Sequence, residues 1–204
     1  MTSTTATGGR AVANARLYDP DVPGHALLNE ANRLLARWPA PDTGQAILRS
    51  ELIRHVAGHA DSVFRSCGDG HLTASAIVLD AARRRVLLTL HPRLGRWIQM
   101  GGHIEPVDAT LEAAALREAT EESGIAGLVL DPVPVDLDIH AFECPRGTPN
   151  RHLDVRFVVT APDDAVPVCS DESLDVAWFA VTELPAELDA STLRLIARAL
   201  TRGR

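Results

Sequence analysis

One short segment of this chain combines glutamates with small apolar residues at helical spacing. At about 100° per residue, a single arc of roughly 120° collects Leu111, Ala114, Ala115, Glu118, Glu121 and Glu122. Like charges three or four residues apart repel, and partial burial raises that cost unless a cation neutralises them. Carboxylate oxygens suit a hard divalent ion, so the segment predicts a Mg²⁺ or Mn²⁺ site rather than a zinc site. The plainer alternative is a solvated acidic helix face balanced by Arg117.

The ends of this helix are also marked in the sequence. Asp108 or Thr110 can cap its start, and Gly124 is suited to end it in the left-handed conformation. Gly101 and Gly102 predict a tight loop ahead of it. The segment is therefore predicted to form a loop, a helix and a stop.

This segment, Gly101–Ile125, resembles the Nudix box of the MutT/Nudix hydrolases. The family pattern is G-x5-E-x7-R-E-U-x-E-E-x-G-U, where U is a bulky aliphatic residue. The matching residues are Gly101, Gly102 and Glu105 in the loop, and Arg117, Glu118, Glu121, Glu122, Gly124 and Ile125 in the second half.

Two positions depart from that pattern. Asp108 stands where the family has Glu, and eight residues rather than seven separate it from Arg117. Ala119 is smaller than the usual aliphatic residue. The extra residue falls where the loop meets the helix, so the metal-binding half keeps its register. Whether Asp108 supports Arg117 as the family's Glu does is left open by the sequence.

The resemblance implies a hydrolase that cuts a nucleoside diphosphate linked to another moiety, by attack of water on phosphorus. Mg²⁺, or Mn²⁺ in its place, would be held by Glu118, Glu121, Glu122 and the Gly101 carbonyl. The catalytic set would be Glu118, Glu121, Arg117 and, from a later loop, Glu172. Two other functions on the same fold stay open, namely a non-catalytic ligand sensor and a diphosphate isomerase that would need a catalytic cysteine such as Cys67.

Charged residues outside the box supply further candidates. Asp171 and Glu172 lie in a polar loop before Trp178, and Glu172 has the longer reach toward a metal or an attacking water. Arg93 and Arg96 precede the box and can bind substrate phosphates. The alternative for each is an ordinary solvated surface residue.

Composition limits the choice of partner and compartment. Hydrophobic residues make up 46% and charged residues 23%, the balance of a globular protein, and the net charge of −7 argues against nucleic-acid or anionic-membrane binding. All 20 basic residues are arginine. Cys67, Cys144 and Cys169 form no C-x-x-C pair, and no apolar run approaches the ~18 residues of a membrane span. We expect a cytoplasmic enzyme with a nucleotide-type small-molecule substrate.

Three divisions of the chain are expected: an arm at 1–24, a helical extension at 25–66 and a Nudix hydrolase domain at 67–204. The extension holds two helices, His25–Trp38 and a second one reaching about Phe64. It could cover the sheet, form a homodimer contact or shape the pocket. His55 and His59 have metal-chelating spacing but no evident third ligand, which favours a polar helix face.

The remaining segments alternate between strands and helices. Strands are predicted at 71–80, 85–91, 97–100, 133–141, 153–159 and around Trp178, with a hairpin turn at CPRGTPN. A last helix has Ser191 as its expected cap. The family resemblance implies an α/β fold, an α/β/α sandwich around a mixed sheet, carrying the N-terminal helical extension.

Overall fold

The structure, a computed structural model, describes residues 17–143 and 149–202, with four helices and seven strands in these ranges. The helices are α1 His25–Arg37, α2 Thr43–Gly58, α3 Leu111–Ser123 and α4 Ala190–Thr201. The strands are β1 His71–Leu79, β2 Arg85–His91, β3 Arg96–Ile98, β4 Met100–His103, β5 Val129–Glu143, β6 Pro149–Thr160 and β7 Asp175–Ala180. Within the described ranges, none of these helices has the length and apolar character that crossing a membrane requires.

The strands form one mixed sheet of order β3-β2-β1-β6-β5, in which β4 also pairs with β1 and β7 with β2. Strands β1 and β6 are parallel, and the other pairs are antiparallel. Since helices flank the sheet, the predicted α/β architecture is confirmed. Strand β1 pairs with β2 at its end but with β4 along its middle, which brings β4 close to the centre of the sheet.

The two faces of β1 are used differently. Leu72, Ala74, Ala76 and Val78 belong to the apolar cluster that the helices α1, α2 and α3 share. On the opposite face, Ile77 and Leu79 pack with residues of α4. Because side chains alternate along a strand, the positions before Ile77 on that face are 71, 73 and 75, which hold His, Thr and Ser. This second face is therefore apolar at one end and polar at the other.

The N-terminal extension covers the sheet, one of the three roles that the sequence left open. Leu28 and Leu52 lie in the same buried cluster as Phe157 of β6. Gln45 of α2 accepts a hydrogen bond from the Leu137 amide at 2.7 Å and donates one to the Leu137 carbonyl at 3.0 Å. These bonds fall beside the point at which the β5–β6 register shifts, between positions 131 and 136. The extension thus stabilises an irregular strand as well as burying apolar surface.

Two predicted helix boundaries are wrong. Helix α2 ends at Gly58 rather than near Phe64, because His59 is extended and the chain then forms turns closed by bonds such as Phe64 N–H to the Asp61 carbonyl. Helix α4 is capped by Asp189, whose carboxylate accepts the Thr192 amide at 2.7 Å. Ser191 instead accepts a hydrogen bond from a buried arginine of β6.

The glycine segment is also more regular than predicted. Gly101 and Gly102 lie inside β4 and pair with Ser75 and Ala74 of β1, whereas the sequence predicted a loop. The arm predicted at 1–24 falls mostly outside the described residues. Its last part contacts the extension, because the Tyr18 hydroxyl donates to the Val56 carbonyl.

Candidate functional site

Helix α3 begins and ends at residues that the sequence marks. Thr110 is the cap, and its hydroxyl accepts the Ala113 amide at 3.1 Å. Gly124 ends the helix in the left-handed conformation with φ 66°. The other cap candidate, Asp108, instead accepts the Glu105 amide at 2.8 Å and turns toward Arg117. These ends fix which helix positions face the sheet.

Arg117 is held by a carboxylate from before the helix, which answers the question that the sequence left open. Its guanidinium donates to both oxygens of Asp108, at 3.1 and 2.9 Å. The extra residue of the loop is therefore accommodated without loss of this pair. Arg117 also donates to Glu118 at 3.1 Å and to Glu121 at 2.9 Å. The bond with Asp108 raises the pKa of Arg117, so this residue is a permanent cation.

Glu118 and Glu122 are carboxylates withdrawn from water. Glu118 is 8% exposed, and burial raises its pKa to about 7 against the smaller opposing effect of Arg117. Burial, followed by the charge of Glu118, raises the pKa of Glu122 to about 8. Glu122 Oε1 accepts the Gly101 amide at 3.4 Å, while Glu122 Oε2 is buried without a hydrogen-bond partner among the residues that the structure describes. An added cation would lower the pKa of both glutamates and would give Glu122 Oε2 a partner.

Glu121 has different surroundings. Its side chain is 60% exposed and pairs with Arg117. It is not among the described residues that line the adjoining cavity. The helix therefore brings Glu118 and Glu122 to the cavity and leaves Glu121 at the rim, beside the arginine.

The two glycines of β4 allow the strand to lie against the glutamates. A Cβ at Gly102 would lie 2.7 Å from Glu118 Oε1, and a Cβ at Gly101 would lie 2.5 Å from Ser75 Oγ. Gly101 also has φ 150°, which side-chain-bearing residues rarely adopt. Glycine at both positions thus places backbone polar groups next to the carboxylates.

A cavity of about 510 Å³ opens between α3, β4 and the polar half of the sheet face. Its acidic wall holds Glu118 and Glu122, joined by Asp171 and Glu172 from the loop before β7. The charge of Glu172 contributes to the raised pKa of both α3 glutamates. The lining also includes six cationic or imidazole side chains: Arg65, Arg93, His91, His103, His140 and His152.

The two arginines predicted to bind phosphate are placed differently. Arg93 lines the cavity. Arg96 is not among its described lining residues and lies 3.6 Å from the Asp189 carboxylate. Arg65, which the sequence analysis missed, lines the cavity from the turn that follows α2. The sequence analysis treated that turn as a continuation of the apolar stripe of α2, so no separate pattern marked it.

A second group of charges lies at and below the cavity floor, where Asp154 is itself a lining residue. Asp154 accepts hydrogen bonds from Ser75 at 2.7 Å and Thr73 at 3.0 Å, and pairs with Arg156 at 2.7 Å. The same network continues through Asp136, Asp138, Arg194 and Arg198. It joins β5 and β6 to α4 and supports the cavity from beneath.

Comparison with known proteins gives one family. A family model described as the NUDIX domain matches residues 70–199, so that α1 and α2 lie outside the match. A NUDIX-family hydrolase from Clostridium perfringens is 22% identical, with a TM-score of 0.55 over 65% of this chain and 97% of that one. The NUDIX domain of Shewanella oneidensis NrtR, solved with ADP ribose, is 23% identical, with a TM-score of 0.49 over 73% and 96%. A MutT NUDIX hydrolase from Burkholderia pseudomallei is 22% identical, with a TM-score of 0.46 over 62% and 95%.

Proposed function

We propose that this chain, which belongs to the NUDIX family and is a hydrolase of phosphoric anhydride bonds, acts on a nucleoside diphosphate linked to another moiety. Its cofactor in this proposal is Mg²⁺. Mn²⁺ is the alternative ion. One observation carries the proposal: Glu118 is buried and Glu122 half-buried at the cavity, and Arg117 pairs with Glu118 but not with Glu122 among the described residues. A substrate that carries phosphates also needs a cation to neutralise its negative charge.

The residues present fit a hard divalent ion. We assign Glu118, Glu122 and the carbonyl of Gly101 as its ligands, with Glu121 completing the set directly or through water. Glu122 Oε2 is a buried oxygen that such an ion would satisfy. When bound, the ion supplies Lewis-acid charge neutralisation and a template for the phosphates. Arg117 positions the glutamates, since its guanidinium contacts both Glu118 and Glu121.

The proton of the attacking water needs an acceptor, and we assign this role to Glu172. Its carboxylate lines the cavity and lies close enough to Glu118 and Glu122 to raise their pKa values. Water oxygen attacks phosphorus, its proton passes to Glu172, and the bridging oxygen leaves with the second phosphate. Asp171 is the neighbouring alternative, because it lines the same cavity.

The substrate phosphates would be bound by cationic side chains of the cavity. Arg93 and Arg65 line it, and a guanidinium can bind phosphate through two parallel hydrogen bonds. We omit Arg96 from this role because its side chain faces Asp189. The nucleoside and the second moiety are not specified by these contacts.

Cys67, the nucleophile named for the isomerase alternative, is poorly placed for that role. Cys67 is 2% exposed and is not among the described residues that line the cavity. Burial raises the pKa of its thiol, which disfavours the reactive thiolate. The ligand-sensing alternative would leave the glutamates without chemistry to perform, so hydrolysis is the function that these residues favour.

The proposal is tested by a phosphate-release assay on a panel of nucleoside diphosphate derivatives with Mg²⁺, Mn²⁺ or a chelator. We expect turnover to need the ion, and Glu118→Gln and Glu122→Gln each to lower kcat by at least about 100-fold. Glu121→Gln is the matched control from the same helix, and we expect a loss of only about 2- to 5-fold because its ion pair is exposed. Near-parental turnover of Glu122→Gln at low Mg²⁺ would contradict the assignment.

A further inference from the structure

Three histidines from three strands meet at one wall of the cavity. His71 of β1 pairs directly with His152 of β6 in the parallel register. His103 of β4 pairs with Thr73, two positions further along β1, so it shares the same face of the sheet. One ring nitrogen from each histidine can be chosen so that all three lie within 4.8 Å of one another. The ring centroids are 4.9 to 5.1 Å apart.

This cluster is withdrawn from solvent. His71 is fully buried and His152 is 8% exposed. His71 Nε2 is buried without a hydrogen-bond partner in the part of the chain that the structure describes. Buried polar atoms are nearly always satisfied, so this nitrogen calls for a partner that the described residues do not supply.

Neutral imidazole is the form that binds metals, and the surroundings favour that form. Burial lowers the pKa of His71 to about 4, with the Arg65 charge acting in the same direction. Burial, followed by the neighbouring histidines, lowers the pKa of His152 to about 2. These two side chains are therefore neutral at pH 7 and do not repel one another.

We propose that His71, His103 and His152 form a binding site for a transition-metal ion of the Zn²⁺ class. Zinc takes imidazole nitrogen at about 2.0–2.1 Å, which in a tetrahedral site puts two such nitrogens about 3.3 Å apart. The rings need to approach by roughly 1.5 Å, a change within reach of side-chain rotation. If His71 Nε2 binds the ion, Nδ1 carries the ring proton and no longer accepts the long 3.4 Å hydrogen bond from the Asn150 amide.

The site differs in chemistry from the one at α3. Three nitrogen ligands select zinc-like ions over Mg²⁺, which prefers oxygen. His103 and His152 line the cavity, whereas His71 is buried behind them. The ion would therefore be held at the cavity wall with its fourth position open to the interior. Three protein ligands and one open position are the arrangement of zinc sites that bind water or a substrate oxygen. A phosphate oxygen of the substrate is the ligand that this position would take.

Other histidines lie outside the site. His140 approaches His152 at 5.3 Å between ring centroids, but its Nδ1 lies 3.0 Å from the Asp138 carboxylate. His55 and His59 stack at 4.2 Å, yet both ring nitrogens of His59 and Nε2 of His55 already have polar partners. This second pair supplies a control.

The test is metal content after the full chain is incubated with excess Zn²⁺ and dialysed against a weak chelator. We expect about one Zn²⁺ per chain, retained in the Glu118→Gln/Glu122→Gln double variant and in His59→Asn. His103→Asn and His152→Asn should each reduce retention by at least about tenfold. The half-buried His103 is the safer substitution for folding, which circular dichroism and thermal unfolding would check.

A measurement on the unmutated protein keeps the proposal falsifiable if the variants misfold. Zinc-edge X-ray absorption should report three imidazole nitrogens, and Co²⁺ substitution should give the strong visible absorption of a tetrahedral site. The proposal is overturned if the chain retains no zinc. It is equally overturned if zinc is lost in the glutamate double variant or in His59→Asn but kept in His103→Asn, or if the absorption edge shows mainly oxygen ligands.

Discussion

Two clusters of carboxylates in the described part of the chain meet at the cavity, one on α3 and one that reaches the cavity floor at Asp154, and they differ in how their charge is balanced. Below the floor, Arg156 contacts Asp136, Asp138 and Asp154 at 3.4, 3.2 and 2.7 Å. Two further arginines of α4 reach Asp136, at 3.0 and 2.6 Å. Three aspartates thus face three arginines, and the group needs nothing from outside the chain.

Above the floor the balance is different. Arg117 is shared among Asp108, Glu118 and Glu121, and its guanidinium makes no recorded ion pair with Glu122. The pKa values separate Asp138 from Glu122, although burial raises the pKa of Asp136 as well. Burial would raise the pKa of Asp138, but His140, Arg156 and Arg194 lower it well below the ordinary value, whereas the pKa of Glu122 is raised to about 8. The acids below the floor have arginine partners within the chain, whereas Glu118 and Glu122 line the cavity without enough arginine to balance them and mark the place for a cation.

The largest expected effect comes from breaking the balanced cluster. Arg156→Met leaves two buried aspartates, Asp136 and Asp154, and the half-buried Asp138 without their central cation, and removing one partner from such a network costs about 3–5 kcal/mol. Urea unfolding would measure the loss, and added Mg²⁺ should not restore it. Arg85→Met is the matched control, because the Arg85–Asp80 pair is half exposed and is worth about 0–1 kcal/mol. Equal losses in the two variants would mean that the buried network contributes no more than a surface pair.

A smaller effect, on rate rather than stability, is expected at Glu172. Glu172→Gln should lower kcat by about 10- to 100-fold and remove the acidic limb of the pH–rate profile, because the proton acceptor is lost. The free energy of unfolding and the substrate KM should stay near the parental values. Asp171→Asn, in the same loop, should leave the profile unchanged. Loss of the acidic limb in Asp171→Asn alone would transfer the role to that residue.

The smallest effect concerns a half-buried acid, Glu30, which is not among the described residues that line the cavity. Burial, followed by the charge of Glu112, raises the pKa of Glu30 to about 7, although the Leu111 amide and Arg33 oppose the shift. Since the folded-state pKa lies above the ordinary value of 4.5, the protonated form is favoured by folding. The unfolding free energy should therefore fall as pH rises from about 4.5 to 7, and Glu30→Gln should reduce that slope.

The Glu30 experiment sharpens the comparison because Glu30 is not among the described residues that line the cavity. Added Mg²⁺ should leave the slope due to Glu30 unchanged when denaturation is repeated with the ion. A slope that is identical in Glu30→Gln and the parent would show that Glu30 does not contribute.

Local signals predicted the elements well. A short aliphatic run located β2 at Arg85–His91, and the Thr110 and Gly124 positions bounded α3. These signals did not predict how deeply each side chain is buried. The position of a residue on a helical arc gives the direction of its side chain but not its distance from the surface. Glu118 and Glu121 share the predicted arc, yet one is buried and the other exposed.

Features that depend on tertiary pairing were also missed. The histidine cluster requires the registers of β1 with β6 and with β4, and no local pattern encodes them. The prediction that Ser191 caps α4 was wrong, because Asp189 is an equally good cap two residues earlier. The Ser191 hydroxyl instead accepts a hydrogen bond from an arginine of β6. The Asp108–Arg117 pair depended on how the loop closes over an extra residue.

The most direct test of the account is calorimetric titration of the metal-free protein with Mg²⁺ at pH 7.5, in two buffers of different ionisation enthalpy. Glu118 and Glu122 have pKa values of about 7 and about 8, so binding should release roughly one proton per ion. The Glu118→Gln/Glu122→Gln variant should lose both the binding and the proton release, while Arg85→Met keeps both. Equal Mg²⁺ affinity in the parent and the double variant would contradict the claim that these two carboxylates form the cation site.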